Sequence, residues 1–460
     1  MNTEKLLNNV FDILDEELRN GYVVMNKYRE MPKLIPSDID LDIHQNDFDN
    51  LDKIITNLSK KTGLIITQKI WHHYRKCAYI LTPLKIDKPF RLQLDFFSDF
   101  SVKNTPLLIP FQEIQSRIRN YGRFTIPDYD IEYVFLLIRR IWKNDFNTSH
   151  LALIYDALCG GNKQQIKNYS EQYFGKVNAE IIYNAVLNKH VNQLVLLRDE
   201  LWINLKKYSR KKSFGLYKVQ YKLNEFKRFI YRIRYPIGMS IALLSPDGGG
   251  KSTVYKKLEY LCWGSFHNIE KRYFRPRLFK NIGSYNIMNP KEESESNPDP
   301  HNVKLDNSIK SLIRFVFYNF DFLFGYFFLI KPLTIKKSLV IFDRYYYDYY
   351  VDMQRYKFNL PKWFPSLFQW MIPKPAIVFI LNGSAGEFYK RKKELSVKEL
   401  GRQIAAYYKL SLQMKNSYLI DANQDVSKVS KDITYLLHGV KAEKTALAMG
   451  NSLDEFYIPK

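Results

Sequence analysis

The spacing of apolar residues changes along the 460-residue chain, and each change predicts a different kind of structure. Residues 1–110 combine an amphipathic helix with short strands of alternating polarity. Residues 111–205 carry apolar positions three and four apart, which predicts consecutive helices. From residue 239 to residue 440, short apolar runs alternate with helical segments. That alternation predicts an α/β region, with a parallel sheet flanked by helices.

Two further stretches are polar. Residues 206–238 are predicted to form a basic linker helix, and residues 206–234 contain eleven Lys or Arg. Residues 441–460 are predicted to form a loose tail. A third polar stretch, residues 284–307, interrupts the α/β region with Pro, Ser, Asn and Glu that cannot build a core. An insertion of this length is typical of a lid, a binding loop or disorder.

The formal net charge of +23 favours polyanionic partners such as nucleotides, phosphoglycans or an anionic membrane face. The alternative interpretation is a solvated basic surface. Three widely spaced cysteines without a C-x-x-C motif indicate a reducing compartment and argue against a zinc site. The N-terminus lacks the basic start and apolar core of a signal peptide. We therefore expect a cytoplasmic protein, with the inner membrane face as the alternative location.

The most apolar segment covers residues 312–330 and contains Arg314, Asn319 and Asp321. Charged residues at the centre of a membrane-spanning helix are unfavourable, by about 2.5–3.5 kcal/mol each. We therefore predict a buried or subunit-interface helix, with contact at a membrane surface as the alternative.

The sequence IALLSPDGGGKST, residues 241–253, carries the strongest chemical signal. An apolar run, a glycine-rich turn and a helix follow one another, as in loops that surround phosphate with backbone N–H groups. Ser245 stands where such loops usually begin with glycine, and a negative φ would make it tolerable there. We expect ATP to bind here, with Lys251 reaching the β and γ phosphates and the Ser252 hydroxyl on Mg²⁺. The candidate nucleotide-binding residues are Gly248, Gly249, Gly250, Lys251, Ser252 and Thr253.

A second element, SLVIFDRYYYDYYVD, is an apolar strand that ends in an acid. Asp343 is predicted to hold Mg²⁺ directly or through water, and Arg344 to grip a phosphate. Arg344, Asp348 and Asp352 recur every four residues with Arg355 three further on, which predicts one face of a helix. The alternative is an ion-pair ladder on a surface helix.

Cations also cluster in two other places, KRYFRPRLF and FYKRKKELSVKEL. The first supplies Arg275, beside which an anionic acceptor would sit. The second supplies Arg391, whose charge would offset the charge that develops on a transferring phosphoryl group. The candidate acceptor ligands are Arg275, Arg344 and Asp348.

The motifs P-D-G-G-G-K-S-T, D-R-Y, R-K-x-E-L and R-Q-x-x-x-Y together resemble those of the thymidylate kinase-like family over residues 239–439. The resemblance implies a P-loop fold with a parallel sheet flanked by helices, and a phosphotransferase that uses ATP and Mg²⁺. It assigns Asp247 to the acceptor side, Asp343 and Arg344 to the catalytic pair, and Arg391 to a lid, and it makes a homodimer plausible. The family's R-E-P-G-G-T-type segment is replaced here by RYFRPRLF, which points to a remodelled acceptor pocket.

Near the N-terminus, Asp38 and Asp40 lie two residues apart on a predicted strand, and Asp95 lies on another. Alternation puts the first two carboxylates on one side, and three carboxylates can hold Mg²⁺ for nucleotidyl transfer. The arrangement resembles DNA polymerase beta-type nucleotidyltransferases over residues 20–110. The family's glycine turn is replaced by MNKYREMP, so the activity is either intact or degenerate. The alternative is that Asp38, Asp40 and Asp42 form a solvated cluster at a strand end.

The leading hypothesis is a kinase that passes a phosphoryl group from ATP to a nucleotide, or to a glycan- or nucleotide-sugar-related acceptor, through an anionic or hydroxyl group. One alternative is a nucleotide-binding sensor or scaffold with little turnover, and another is an authentic thymidylate kinase. Nucleic acid is the least favoured partner, because no dedicated nucleic-acid-binding fold is recognised and only the basic segment 206–234 would serve.

Overall fold

The computed structural model describes residues 2–102, 105–213, 215–279, 305 and 307–451. These residues form two compact units. The first contains the described residues of Met1–Thr82, Arg91–Tyr231 and Thr445–Pro459, and the second those of Pro83–Phe90 and Arg232–Lys444. The five-part division predicted from the sequence stays a prediction, and nearly all of the insertion at 284–307 lies outside the described residues.

The helices are α1 (Thr3–Glu17), α2 (Gln45–Asp49), α3 (Leu51–Thr62), α4 (Phe111–Gln115), α5 (Tyr129–Lys143), α6 (Thr148–Gly160), α7 (Lys163–Phe174), α8 (Lys176–Leu187), α9 (Val191–Lys212), α10 (Leu216–Arg234), α11 (Lys251–Leu261), α12 (Ser308–Gly325), α13 (Lys331–Ile335), α14 (Ala385–Arg391), α15 (Val397–Gln413) and α16 (Val426–Ala448). The strands are β1 (Tyr22–Val24), β2 (Ile39–Ile43), β3 (Ile65–His73), β4 (Lys76–Thr82), β5 (Leu92–Phe97), β6 (Phe100–Val102), β7 (Thr105–Ile109), β8 (Ile118–Tyr121), β9 (Phe124–Pro127), β10 (Met239–Leu244), β11 (Asn268–Tyr273), β12 (Ser338–Asp343), β13 (Ile377–Asn382) and β14 (Ser417–Asp421).

The N-terminal unit is α+β, built on a mixed five-stranded sheet of order β1-β2-β5-β4-β3. Strands β2 and β5 are parallel, and their register places Asp40 directly beside Asp95. Helices α5 to α9 pack around a large apolar cluster that includes Phe135, Leu137 and Tyr173. The apolar spacing predicted helices here because each of them buries one face in that cluster.

The C-terminal unit contains a parallel five-stranded sheet of order β11-β12-β10-β13-β14. Alternate residues of the central strand β10 enter different apolar clusters, with Ile241 on one side of the sheet and Ala242 on the other. A parallel strand that is covered on both faces reads as a continuous apolar run, which is the signal that predicted it. The predicted α/β fold with a parallel sheet flanked by helices is confirmed.

Serine caps fix the start of the two helices that follow β13. Ser384 accepts a hydrogen bond from the backbone N–H of Glu387, and Ser396 accepts one from that of Glu399, both at 3.2 Å. Such caps satisfy N–H groups that have no partner within the helix. They fix where α14 and α15 begin, and Arg391 and Lys392 lie in the stretch between these two caps.

The apolar segment 312–330 forms most of α12 and a following π-helical turn, Tyr326–Ile330. One face is buried through Phe315 and Phe322, whereas Ile313 and Phe320 are exposed. The expectation of a buried helix therefore holds for one face only. Among the described residues, Ser308–Ile335 is the one helix whose length and composition would suffice to cross a membrane, and a third of its most apolar window is buried.

The last helix, α16, continues to Ala448, beyond the start of the loose tail predicted at residue 441. Its end is held within the N-terminal unit. The Thr445 hydroxyl donates to the Thr67 carbonyl at 2.9 Å, and the Asn451 amide donates to the Thr56 hydroxyl at 2.9 Å. Small and polar residues, read as a loose tail in the sequence, here form a helix with defined partners.

Gly238, immediately before β10, tests how tightly the C-terminal sheet is packed. A Cβ at this position would overlap the backbone of Ser338 on the neighbouring strand. We expect Gly238→Ala to lower the free energy of unfolding by about 1–3 kcal/mol, measured by denaturant titration. Gly401→Ala is the matched control, because a Cβ within α15 meets no atom within 4 Å and alanine favours the helix. Equal midpoints for the two variants would contradict the close approach.

Candidate phosphate-binding site and a second carboxylate cluster

The turn between β10 and α11 has the conformation that its glycines permit. Gly248 and Gly250 have φ values of 79° and 84°, in the left-handed region that favours glycine. A Cβ at Gly248 would also overlap the carbonyl of Phe388. Ser245 is not among the described residues with positive φ, so serine is tolerated there as the sequence required. Because its glycines carry no side chains, the turn leaves space at the start of α11, where backbone N–H groups and the helix dipole favour an anion.

The Lys251 side chain folds back over this turn. Its ammonium donates to the carbonyls of Ser245 at 2.9 Å and of Pro246 at 3.2 Å. Burial, and then the positive charge of Arg344, lower the pKa of Lys251 to about 8. The ammonium is therefore charged at neutral pH and is held by neutral carbonyls, which an anionic ligand would replace as its partners.

At the end of β12, Asp343 and Arg344 stand at the carboxyl edge of the sheet, beside the phosphate-binding turn. Asp343 pairs in register with Leu243 of β10. Its Oδ1 is buried and has no hydrogen-bond partner among the residues that the structure describes, while its Oδ2 lies 3.7 Å from the Lys271 ammonium. Arg344 has φ 72°, which is unusual for a residue with a side chain, and its N–H donates to the Leu243 carbonyl at 3.1 Å.

Arg344 is the centre of a buried chain of alternating charges. Its guanidinium donates to Asp247 and to Asp348, both at 2.9 Å. Asp247 also accepts from Arg355, which in turn donates to Asp352 at 3.3 Å. We call these five residues, in the order Asp348, Arg344, Asp247, Arg355 and Asp352, the ion chain. It connects the phosphate-binding turn to the segment that follows β12.

This chain corrects the interpretation of residues 344–355 as a helical face or surface ladder. Two short 3-10 turns, Tyr346–Tyr350 and Gln354–Tyr356, occur instead of one α-helix. Asp348 is fully buried and also accepts hydrogen bonds from the hydroxyls of Tyr356 at 3.0 Å and Tyr407 at 2.8 Å. The four-residue spacing therefore does not mark one face of a helix. It belongs to residues that meet in one buried network of ion pairs, and the two tyrosines pack around that network.

The ion chain determines the ionisation of Asp247. Burial opposes its charge, but Arg344 and Lys251 hold the pKa of this carboxyl well below its usual range. Asp247 is consequently a very weak base at neutral pH. Its role in this geometry is to orient two guanidinium groups rather than to accept a proton.

A cavity of about 570 Å³ opens over the turn. Its described lining comprises Asp247, Gly248, Gly249, Gly250, Lys251, Ser252, Thr253, Lys271, Tyr273, Asp343, Arg344, Arg355, Arg391, Lys392 and Glu394. Six of these side chains are cationic and three are carboxylates. The structure thus brings together every residue predicted to bind nucleotide or to act in catalysis, in a site with an excess of positive charge.

Two predicted acceptor ligands lie elsewhere. Asp348 is beneath Arg344, as described above. Arg275 is 3% exposed and pairs with the fully buried Asp321 at 2.7 Å, and its guanidinium also lies 4.8 Å from the centre of the Tyr318 ring. Arg275 therefore fixes α12 to the chain after β11 and is not among the residues that line the cavity.

The sequence interpretation missed Lys271 and Tyr273, which line the cavity from β11. They are two residues apart on a strand, so they point to the same side, and Arg272 points to the other. The signal was present in the letters KRYFR. To recognise from the sequence that Lys271 and Tyr273 face the cavity, one must know that this segment is a strand next to β12. In that pairing Tyr273 lies in register with Asp343.

The second predicted site lies in the N-terminal unit. One carboxylate oxygen from each of Asp38, Asp40 and Asp95 lies within 4.8 Å of the others. They line a cavity of about 240 Å³ together with Lys76 and Arg139. Asp40 and Asp42 are almost completely buried, so the interpretation as a solvated cluster is wrong for these two residues.

Cations already contact these carboxylates. Arg139 of α5 donates to Asp40, the Lys76 ammonium lies 3.8 Å from Asp40, and the Lys27 ammonium lies 2.6 Å from Asp38. Burial and then Asp40 raise the pKa of Asp95 to about 6. Arg139 was not singled out in the sequence, although an arginine in an otherwise apolar helix signals a buried carboxylate partner.

Comparisons with known proteins add little to these observations. No protein-family model and no curated protein matches the chain. Among solved structures, the chain is similar to a thymidylate kinase from Ehrlichia chaffeensis. The two share 20% sequence identity with a TM-score of 0.30, over 44% of this chain and 98% of that one. A TM-score this low carries no argument, so the fold assignment rests on the strand order and the parallel pairings.

These features define the class of the C-terminal unit. A central parallel strand leads into a glycine-containing turn and a helix, at the edge of the sheet where ligands of open α/β folds bind. The unit thus has an α/β fold with a parallel sheet flanked by helices, and the glycine-containing turn lies at the carboxyl edge of that sheet.

The buried ion chain allows a test of stability. We expect Asp348→Ala to lower the free energy of unfolding by about 3–5 kcal/mol, because it removes the acceptor of a buried guanidinium and of two tyrosine hydroxyls. Denaturant titration measures this change. Glu387→Ala, which removes the carboxylate of an exposed pair with Lys390, is the control and should change it by less than about 1 kcal/mol. If both variants unfolded at the same midpoint, the ion chain would contribute no more than a surface pair.

Proposed function

We propose that the C-terminal unit is an ATP-dependent phosphotransferase. The observation that carries the proposal is the position of the turn 245–250 beneath six cationic side chains, at the carboxyl edge of a parallel sheet. A triphosphate placed there would meet backbone N–H groups, the Lys251 ammonium and the start of α11. Catalysis of phosphoryl transfer consists mainly of positioning and charge stabilisation, which are what this lining supplies.

The residues present suit a magnesium ion. Asp343 offers a buried carboxylate oxygen without a hydrogen-bond partner, and Ser252 offers a hydroxyl on the same cavity. Oxygen ligands of this kind are those that Mg²⁺ prefers when phosphate and water complete its coordination. Bound there, the ion would neutralise phosphate charge. Ser252 and Asp343 would hold it, while Lys251 and Arg344 would orient the phosphates.

The ion chain supports an acceptor that carries its own negative charge. A hydroxyl acceptor benefits from a base that removes its proton, and Asp247 is a very weak base because two guanidinium groups bind it. The oxygen of a phosphate monoester needs no such base. Arg355 and Lys271 offer two cations to the acceptor, and Tyr273 offers a hydroxyl. We therefore favour a phosphomonoester over a neutral alcohol.

The test of this proposal is Lys251→Ala. We expect ATP turnover to fall by at least about 100-fold, because a cation at the phosphates is lost, while the unfolding midpoint changes little. The measurement uses γ-labelled ATP with nucleoside monophosphates, sugar phosphates and neutral alcohols as acceptors, and mass detection of the product. Lys256→Ala, on the exposed face of the same helix, is the matched control and should retain activity. Turnover that survived in Lys251→Ala would refute the proposed role of the turn.

The same lysine predicts a pH dependence. Its ammonium has a pKa of about 8 and is charged below that value, so nucleotide affinity should fall as the pH rises through about 8. Lys251→Arg keeps the charge throughout this range and should bind with a flatter profile. Isothermal titration with a non-hydrolysable ATP analogue measures both profiles. Identical slopes in wild type and Lys251→Arg would assign the titration to another group.

For the N-terminal unit we propose a nucleotide-binding site of nucleotidyltransferase-like type, supported by the convergence of Asp38, Asp40 and Asp95. Arg139 and Lys76 compete with any metal ion for Asp40. Transfer chemistry would therefore require these cations to turn to the phosphates of a nucleotide. A binding role without turnover requires no such rearrangement, and this keeps a regulatory or sensor function as the alternative.

A double variant separates the two sites. If the N-terminal site transfers nucleotidyl groups, Asp38→Asn combined with Asp40→Asn should abolish an activity that Lys251→Ala spares. A screen of nucleoside triphosphates for pyrophosphate release measures it. The control is Asp12→Asn with Asp15→Asn, which alters exposed partners of Arg123 in the same unit. Absence of any separable activity in the wild-type protein would favour binding without transfer.

A further inference from the structure

Helix α10 exposes its apolar side. Leu216, Val219, Leu223, Phe226, Phe229 and Ile230 are between 48% and 80% exposed, and we call these six residues the α10 stripe. Their spacing of three and four residues places them on one side of the helix. None of the nineteen residues of α10, all of which the structure describes, is buried. An apolar stripe of this length normally faces a core, but none of the described residues of the N-terminal unit covers it.

The opposite side of α10 is the one that contacts the N-terminal unit, and it is polar and aromatic. Tyr217 and Tyr221 lie edge-on to Tyr74, with ring centres 5.7 and 6.2 Å apart. Glu225 accepts a hydrogen bond from the backbone N–H of Tyr74 at 3.1 Å. Tyr231 lies 5.7 Å from Trp71. These contacts hold the helix with its stripe facing away from Tyr74 and Trp71.

The charges of α10 indicate what covers the stripe. Lys218, Lys222 and Lys227 are exposed, and helical spacing places them at the borders of the stripe. Glu225 is the helix's single acidic residue, and its contacts with Tyr74 and Arg228 lie on the packed side. A second copy of the same face would bring like charges together. A surface with an apolar interior and negative headgroups would match both features.

We propose that α10 is an interfacial helix that binds an anionic lipid bilayer through the α10 stripe. The six apolar side chains enter the boundary between headgroups and acyl chains, and the three lysines contact anionic headgroups. Arg210 and Lys211, exposed at the end of α9, add positive charge just before the helix. This inference does not rest on the proposed phosphotransferase, and it would direct the full chain to substrates at a membrane surface.

Co-sedimentation of the full chain with lipid vesicles tests the proposal. We expect binding to vesicles of phosphatidylethanolamine and phosphatidylglycerol, and weak binding to vesicles of phosphatidylcholine alone. Leu216→Glu, Leu223→Glu and Phe226→Glu combined should lower the partition coefficient by more than about 100-fold, because they remove apolar burial and add repulsion. Neutralising Lys218, Lys222 and Lys227 to Gln should lower it by about 100-fold, and only for the anionic vesicles.

The matched control is Leu196→Glu, Trp370→Glu and Leu412→Glu combined. These residues are 86%, 82% and 72% exposed, lie outside α10, and add the same charge. We expect the control to bind within about 3-fold of wild type. Circular dichroism and the unfolding midpoint verify that the variants fold, which their exposed positions favour.

Three outcomes would overturn the proposal. One is a wild-type chain that binds neither kind of vesicle. Another is an equal loss of binding in the stripe variant and the control, which would reduce the interaction to net charge. The third is a wild-type dimer in light scattering that the stripe variant converts to a monomer without any vesicle binding, which would assign the stripe to a second copy of the chain.

Discussion

The candidate site of the C-terminal unit depends on one interaction, the buried pairing of Arg344 with Asp247 and Asp348. Asp247 belongs to the phosphate-binding turn, Arg344 to the end of β12, and Asp348 to the segment after it, so one guanidinium fixes three stretches of backbone. A buried charge that loses its partner is strongly destabilising. The position of each of these three side chains therefore limits where the other two can lie. Arg344 also has a positive φ, a backbone conformation that is unfavourable by about 1–3 kcal/mol. The ion pairs around Arg344 hold its backbone in this conformation.

This pairing also limits the chemistry. Because Asp247 is occupied by Arg344 and Arg355, it cannot serve as an effective base, but it presents both cations toward the cavity. Lys251, whose ammonium contacts only carbonyls of the turn in the hydrogen bonds described above, is the cation most available to a new anion. The site is thus arranged to attract and orient negative oxygens. Asp247 itself is poorly suited to removing a proton.

Local sequence patterns predicted the turns, strands and helices whose structure depends on residues close together in the chain. The turn 245–250, the strand that ends at Asp343 and the alternating helices and strands follow from spacing and glycine placement within short windows, and the structure has them. Contacts between distant segments could not be predicted in this way. The pairing of Arg275 with Asp321 and that of Arg139 with Asp40 join residues 46 and 99 positions apart. The basic linker helix predicted at 206–238 is present as the end of α9 and as α10, but the period of a helix cannot tell whether Leu223 or Tyr221 faces the protein.

The two carboxylate sites use the same physical device with opposite consequences. In each, a buried arginine holds an aspartate ionised, Arg344 at Asp247 and Arg139 at Asp40. At the first site the aspartate orients cations, and another carboxylate, Asp343, keeps a buried oxygen free for a metal ion. At the second site Arg139 and Lys76 already contact Asp40, the carboxylate that a metal ion would need. Under the functions proposed for them, the first site could therefore bind a metal ion as it stands, whereas the second would require its own cations to move first.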